Sequence, residues 1–401
     1  MGVARGWALC VACLVLASAC ATGPASTGDA DVAEIAWERL DNLPVAVFNT
    51  ASSVSGRRWI VTGGIRSDVS AAREVQSFDL DTRTWALGEP LAEGRFNHAQ
   101  ATLPDGRVLV VGGQQFDPEN RYRALASCEL IEADGDGVSA AASLPEAMAF
   151  PTLTSLPDGR LVAVGGRIAS VYDPQRDAWG EGIALRESRG AHAAVALPSG
   201  QEVVVIGGNR RRIEVVEVDA GRSVALAASL PHALDDLEAV LLPDGRVWVI
   251  GGQRADTGRT IDDTYILDLG DPGPPRRPSR VTLGPQLKVA EGVADHRIAT
   301  LPDGRLVMVG GESDTESGDI ELTAALLLDP RELSVTRLAN TLTPHDDATA
   351  VADGWRVYAT AGIAPNRAFG VRLPPMPVAT AEALDLSELS RTGGDAAAGA
   401  P

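Results

Sequence analysis

One stretch, His98-Ala99-Gln100-Ala101-Thr102-Leu103-Pro104-Asp105-Gly106-Arg107-Val108-Leu109-Val110-Val111-Gly112-Gly113, occurs seven times with variations, and nothing else in the chain constrains the fold as strongly. It reads as strand, tight turn, strand. Alternation up to Leu103 suits a half-buried strand. Pro104-Asp105-Gly106 turns the chain: proline presets φ, the aspartate bonds locally and the glycine takes the positive φ that ends the turn. Val108 to Val111 is apolar and mostly β-branched, as a strand covered on both faces requires. Gly112-Gly113 closes the unit, permitting an unusual φ or the close approach of another backbone.

Full copies begin at Leu156, Leu197, Leu242 and Leu301, and worn ones at Ser55 and Ala352. First glycines fall at 63, 112, 165, 207, 251 and 310, with Ala361 in the last copy, a spacing near 50 residues. Four short strands at that period build a β-propeller blade. The pattern, spanning about Ala33 to Pro374, resembles kelch-repeat proteins. The expected fold is therefore all-β: a seven-bladed kelch-type β-propeller.

The first structured segment, around Trp37, matches the fourth-strand segments that hold Trp85 and Trp179. At the far end, Ala348–Val351, Arg356–Thr360 and Ala368–Leu373 supply three strands and no fourth. The N-terminal strand is thus expected to close the last blade and leave no free edge.

Ahead of the repeats, Arg5 followed by the apolar run Trp7 to Leu16 reads as a secretory leader too short to span a bilayer. Ala17-Ser18-Ala19-Cys20 resembles a bacterial lipobox, although Ala17 stands where leucine is preferred; an ordinary signal cut after Ala19 is the alternative. The expected organisation is a signal peptide over 1–19, a lipidated tether over 20–32, the propeller over 33–376 and a disordered tail over 377–401. Resemblance places such a protein in the bacterial outer membrane, lipid-anchored at Cys20 and facing the periplasm or the cell surface. Cys128 is then the single cysteine left in the mature domain, so no internal disulfide forms. With 54 acidic against 35 basic residues, the net charge of −19 argues against nucleic acid and against electrostatic adhesion to anionic lipid.

Candidate ligand-binding residues lie in the segments leading into the first strands: Arg95 with His98, Arg189 with His192, Asp295 with His296, and His345 with Asp346. Such a ring at a channel mouth can grip an anionic sugar or an acidic peptide. The same residues also suit a structural role, tying blade to blade. Inserts after the glycine pairs, Gln114–Leu125, Gln253–Asp263 and Glu312–Glu321, are expected to rim a cup with Arg95, Arg189, His192 and His296 on its floor.

No Gly-x-Ser-x-Gly is present, and no His-x-x-x-His pairing favours a metal, so no catalytic or metal residue and no cofactor is assigned. Resemblance to galactose oxidase stops at the fold, because Tyr122, Tyr172, Tyr265 and Tyr358 do not reproduce its tyrosine–histidine set. The expected function is an envelope-anchored binding or scaffold module for envelope proteins or glycans, acting as a monomer. The alternative is a periplasmic sugar-processing enzyme resembling the N-acetylneuraminate epimerases, which are also kelch proteins. It needs only acid–base groups in a cup, for which Glu291, Asp295, His296 and Arg95 are available.

Overall fold

The computed structural model describes residues 35–392, except 120, 271–277, 316–317, 366, 369–370 and 373–375. The expected leader, the lipidation site Cys20, the tether and the last residues of the tail lie outside the described residues. Seven antiparallel sheets form the blades. Blade 1 runs Ala51–Ser55, Arg58–Thr62, Val75–Asp79, Thr84–Leu87 from the axis outward, and blade 2 Ala99–Thr102, Val108–Val111, Cys128–Ile131, Val138–Ala141. Blades 3 and 4 begin at Thr152–Ser155 and His192–Ala196, blades 5, 6 and 7 at Glu238–Leu241, Arg297–Thr300 and Thr349–Asp353.

The turn chemistry is the same wherever Pro-Asp-Gly-Arg is intact. Leu103 N–H donates to the Arg107 carbonyl at 2.7 Å, and Asp105 accepts from both the backbone N–H and Nε of Arg107 at 3.0 and 2.9 Å. Asp158–Arg160, Asp244–Arg246 and Asp303–Arg305 repeat it. The second strands are fully buried, Val108 to Val111 at 0% exposure, so the cores lie between adjacent blades as much as within them.

The glycine pairs earn their place at the opposite face. A Cβ on Gly63 would lie 2.4 Å from the Arg95 carbonyl oxygen of the next blade, and one on Gly64 2.8 Å from the Phe48 carbonyl oxygen of its own. Both have positive φ. The second glycine's N–H then bonds the next blade: Gly64 to Arg95, Gly113 to Met148, Gly252 to Val293, Gly311 to His345, and Gly362 across the closure to Val47.

Ring closure uses the N-terminal strand. Glu38–Arg39 pairs with the last blade, Glu38 opposite Ala383 and Arg39 opposite Glu382. Trp37, 4% exposed, donates its indole N–H to the Ala339 carbonyl at 2.9 Å, as Trp85 does to Asp41 and Trp179 to Ala142. The third strand of this blade corrects the sequence reading. It is Ala381–Asp385, paired to Arg356–Thr360, whereas of the segment read as that strand Ala368 and Val371–Arg372 fall in the excursion between second and third strands, and 369, 370 and 373 lie outside the described residues. The segment read as the start of a disordered tail is therefore buried blade, with Ala381, Glu382 and Leu384 at 0% exposure.

Candidate functional site: the channel mouth and its cup

Seven segments lead into the innermost strands, and the third residue of each adopts a left-handed conformation: Asn49, Asn97, Phe150, Ala191, Asp236, Asp295 and Asp347, with φ between 48° and 53°. Asn and Asp tolerate this region because their short polar side chains bond locally. These residues form a ring around the axis. Asn97 N–H donates to the Asn49 carbonyl at 3.1 Å, Asn49 to Asp347 at 3.1 Å, Asp236 to Ala191 at 3.0 Å and Asp295 to Asp236 at 3.2 Å.

Two residues before the ring position stand Arg95, Arg189 and His345, and these turn inward to carboxylates on the third strands. Arg95 meets Glu129 at 2.7 Å and Arg189 meets Glu214 at 2.8 Å, with both guanidiniums fully buried. Each glutamate also accepts from backbone N–H groups of the connecting loop, Ala92 at 2.6 Å for Glu129 and Arg186 at 2.8 Å for Glu214. His345 lies 3.6 Å from Glu382, which accepts from Leu342 N–H at 2.6 Å. Burial pushes the Glu214 carboxyl up, but the Arg186 N–H, Arg189 and Ser223 outweigh it and hold it below the usual range. These clamps fasten a blade to the loop that feeds it. The guanidiniums of Arg95 and Arg189 are therefore engaged by the scaffold beneath the mouth, and of the two Arg189 also lines the cup over blades 3 and 4.

His98, His192 and His296 follow the ring residue directly and line a central cavity of about 350 Å³. His98 bonds Thr62 Oγ1 at 2.8 Å and His192 bonds Thr152 Oγ1 at 3.0 Å. His296 is 1% exposed, and among the described residues neither ring nitrogen has a partner. Burial, reinforced by the neighbouring arginines, pushes all three imidazoles down to about 3, so they are neutral. Asp346, 5% exposed, sits behind the ring with one oxygen unpartnered and is pushed up to about 9 by burial and by Asp347 and Glu312.

Sequence reasoning paired Asp295 with His296 and put Asp347 and Asp235-Asp236 in matching stretches, but it missed Glu238 and Arg297, which complete the constellation. Asp236 is pushed up to about 7 by burial and by the charges of Asp235 and Asp347; Asp295 is raised well above the usual range by burial, then by Asp347 and Asp236. Burial also raises Asp347 and Glu238. Arg297 is the cation among them. Burial works against its charge, but Glu238, Asp295, Asp347 and Asp236 outweigh that. Among the described residues no three ligand-type side chains converge as a metal site.

The expected three-hairpin rim is broken. The hairpins of blades 5 and 6 touch, Gln253 bonding Asp314 and Thr260 Oγ1 accepting from Asp314 N–H at 3.1 Å. The blade 2 hairpin, Gln114–Phe116 with Tyr122–Ala124, packs Phe116 and Tyr122 on Phe96 and stands apart. Between them, over blades 3 and 4, lies a cup of about 610 Å³ lined by Ala124, Ala149, Phe150, Ala191, Arg210 and Asp236 among others. Phe150, Ala191 and Asp236 also line the central cavity, so cup and channel meet at the ring.

Comparison with known proteins agrees with this architecture. No family model matches the chain. Kelch-like protein 38 of Mus musculus is 26% identical over 249 residues, 59% of this chain and 41% of that protein, so the chain spans about two-fifths of its relative's length. The fold is a seven-bladed propeller of the kelch type. Its shape is similar to a copper-bound fungal alcohol oxidase of the AA5 family (TM-score 0.67, 15% identity, 88% of this chain and 76% of the other) and to YjhT (TM-score 0.55, 12% identity, 85% and 95%). At these identities the likeness concerns fold alone. A copper site does not fit this kelch propeller. Tyr172, Tyr265 and Tyr358 are buried in blade cores, Tyr172 donating to Asp177 at 2.7 Å, and Tyr122 is exposed on a hairpin. Cys128 is buried, its thiol pushed up to about 11 by burial, and is no nucleophile.

Proposed function

We propose that this kelch propeller is an envelope-anchored binding module that holds part of an envelope protein or glycan in the cup over blades 3 and 4. The carrying observation is the division of labour in the mouth: the guanidiniums of Arg95 and Arg189 bond buried glutamates, while the cup itself is lined by polar and apolar side chains together, Arg210 and Asp236 beside Ala124 and Phe150. A scaffold with spare loop variation above rigid blades suits recognition. The Ala17–Cys20 stretch supports anchoring. Peptide and glycan arrays probed with the folded chain test the reading: shortening the blade 2 and blade 5 hairpins to Gly-Asn turns should abolish the hits, and folded variants with unchanged hits would refute the cup as the site. Cys20→Ser should move the protein from the detergent phase to the soluble fraction.

The alternative, sugar anomer exchange by acid–base chemistry, is favoured by one observation. Asp236 holds a carboxyl near neutrality at the cavity wall, where a general acid or base works best. Anomer exchange on N-acetylneuraminate, followed by NMR with and without Asp236→Asn, tests it.

A further inference from the structure

We propose that the channel mouth between blades 5, 6 and 7 receives an alkylammonium group carried by the ligand that occupies the cup; the inference rests on the binding-module reading. Three carboxyl groups, those of Asp236, Glu238 and Asp295, line the central cavity beside a single cation, Arg297, whose charge Asp347 also favours. Elsewhere in the same mouth, arginine and glutamate close to 2.7–2.8 Å. Here Arg297 spends its bonds on the carbonyls of Asp295 and His296, at 3.4 and 3.1 Å, and among the described residues it forms no ion pair with any of the four. The space between them is the central cavity.

His296 is the second observation. Its counterparts have hydroxyl partners, but Ile250 stands where Thr62 serves His98, and Glu238 stands where Thr152 serves His192 without bonding the imidazole. A buried neutral ring with two unpaired nitrogens on a cavity wall is costly unless something fills the place. An ammonium group does: two N–H donors reach carboxylates on neighbouring blades and a third reaches the imidazole. A metal ion does not, since it needs converging ligands. An anion does not, since Arg297 is the single cation among these carboxyl groups. The approach passes Phe150 and Ala191, over which an alkyl chain can lie, and about 350 Å³ admits a chain of roughly five carbons.

The test is calorimetric titration of the full chain with pentane-1,5-diamine, with a capped Ala-Lys-Ala peptide, and with pentane-1,5-diol. Saturable one-site binding of an amine but not the diol is expected, weakened tenfold or more by Asp236→Asn with Asp295→Asn and unchanged by Asp134→Asn with Asp136→Asn on an exposed turn. A peptide that binds at least tenfold tighter than the diamine identifies a lysine side chain as the source; the converse identifies a free amine. Amines that bind no better than the diol, or binding indifferent to the ring substitutions, overturn the proposal. Asp347→Asn alone serves should the double variant not fold. Array hits that vanish with shortened hairpins but survive the ring substitutions would sink the ammonium site and leave the cup standing.

Discussion

Arg189 and Arg297 occupy the same kind of place and behave oppositely. Arg189 lies two residues before its ring residue, Arg297 two residues after. Arg189 is fully buried against a buried glutamate, and its other terminal nitrogen donates to the Gly207 carbonyl at 2.7 Å. Arg297 faces four carboxyl groups and ion-pairs with none. A buried charge pair with its hydrogen bonds made is a fastening, which only breakage reveals. A cation that ion-pairs with none of the acids beside it, while those acids crowd one another, stores unfavourable interactions that folding alone does not require. Such places are where function is sought.

The largest effect expected from this contrast is on breaking the fastening. Arg189→Met strands Glu214 in the core and should lower unfolding free energy by about 3–5 kcal/mol, read from denaturant midpoints. Arg297→Met should cost far less at pH 5, where Asp236 beside it holds its proton. Equal losses for the two substitutions would erase the distinction.

The contrast also divides the stability curve by pH. Glu214 has a folded pKa below its unfolded value, so its contribution is present above about pH 4.3 and is lost as pH falls. The acidic arc runs the other way. Asp236 near 7, Glu312 near 8 and Asp346 near 9 hold protons that the unfolded chain, with carboxyl pKa values near 4, has released. Their contribution is complete below about pH 4 and is lost as pH rises through 7 to 9. Thermal midpoints should therefore fall on the alkaline side. Asp236→Asn with Asp295→Asn should flatten that limb and leave the acid limb intact.

Legibility followed range. The Pro-Asp-Gly turns and glycine pairs are local chemistry, and they carried fold and blade number together. The αL ring was partly visible, because Asn49, Asn97, Asp236, Asp295 and Asp347 suit it while Phe150 and Ala191 disguise it. The clamps were not visible. Nothing in the spacing of Arg95 or Arg189 shows that Glu129 or Glu214, on the third strand, reaches back to it. The last blade's third strand was lost for a related reason: Ala381–Asp385 is small and alanine-rich, which composition reads as tail. Its usable signal was Glu382, the counterpart of Glu129 and Glu214 that bonds the Leu342 N–H and lies beside His345.

The smallest effect sharpens the comparison at the histidines. His98→Leu removes a bond to Thr62 Oγ1 and leaves that buried hydroxyl with one partner fewer, which should cost about 1 kcal/mol. His296→Leu removes two ring nitrogens that bond nothing among the described residues. Replacing an unsatisfied polar ring by an apolar side chain of similar volume but different shape removes a desolvation cost and forces some repacking. The two effects oppose, so the thermal midpoint should stay level or rise. If His296→Leu instead destabilises as much as His98→Leu, the imidazole is part of the scaffold after all. A level midpoint together with weakened amine binding means that His296 is kept for what enters the channel, since the fold gains nothing from it.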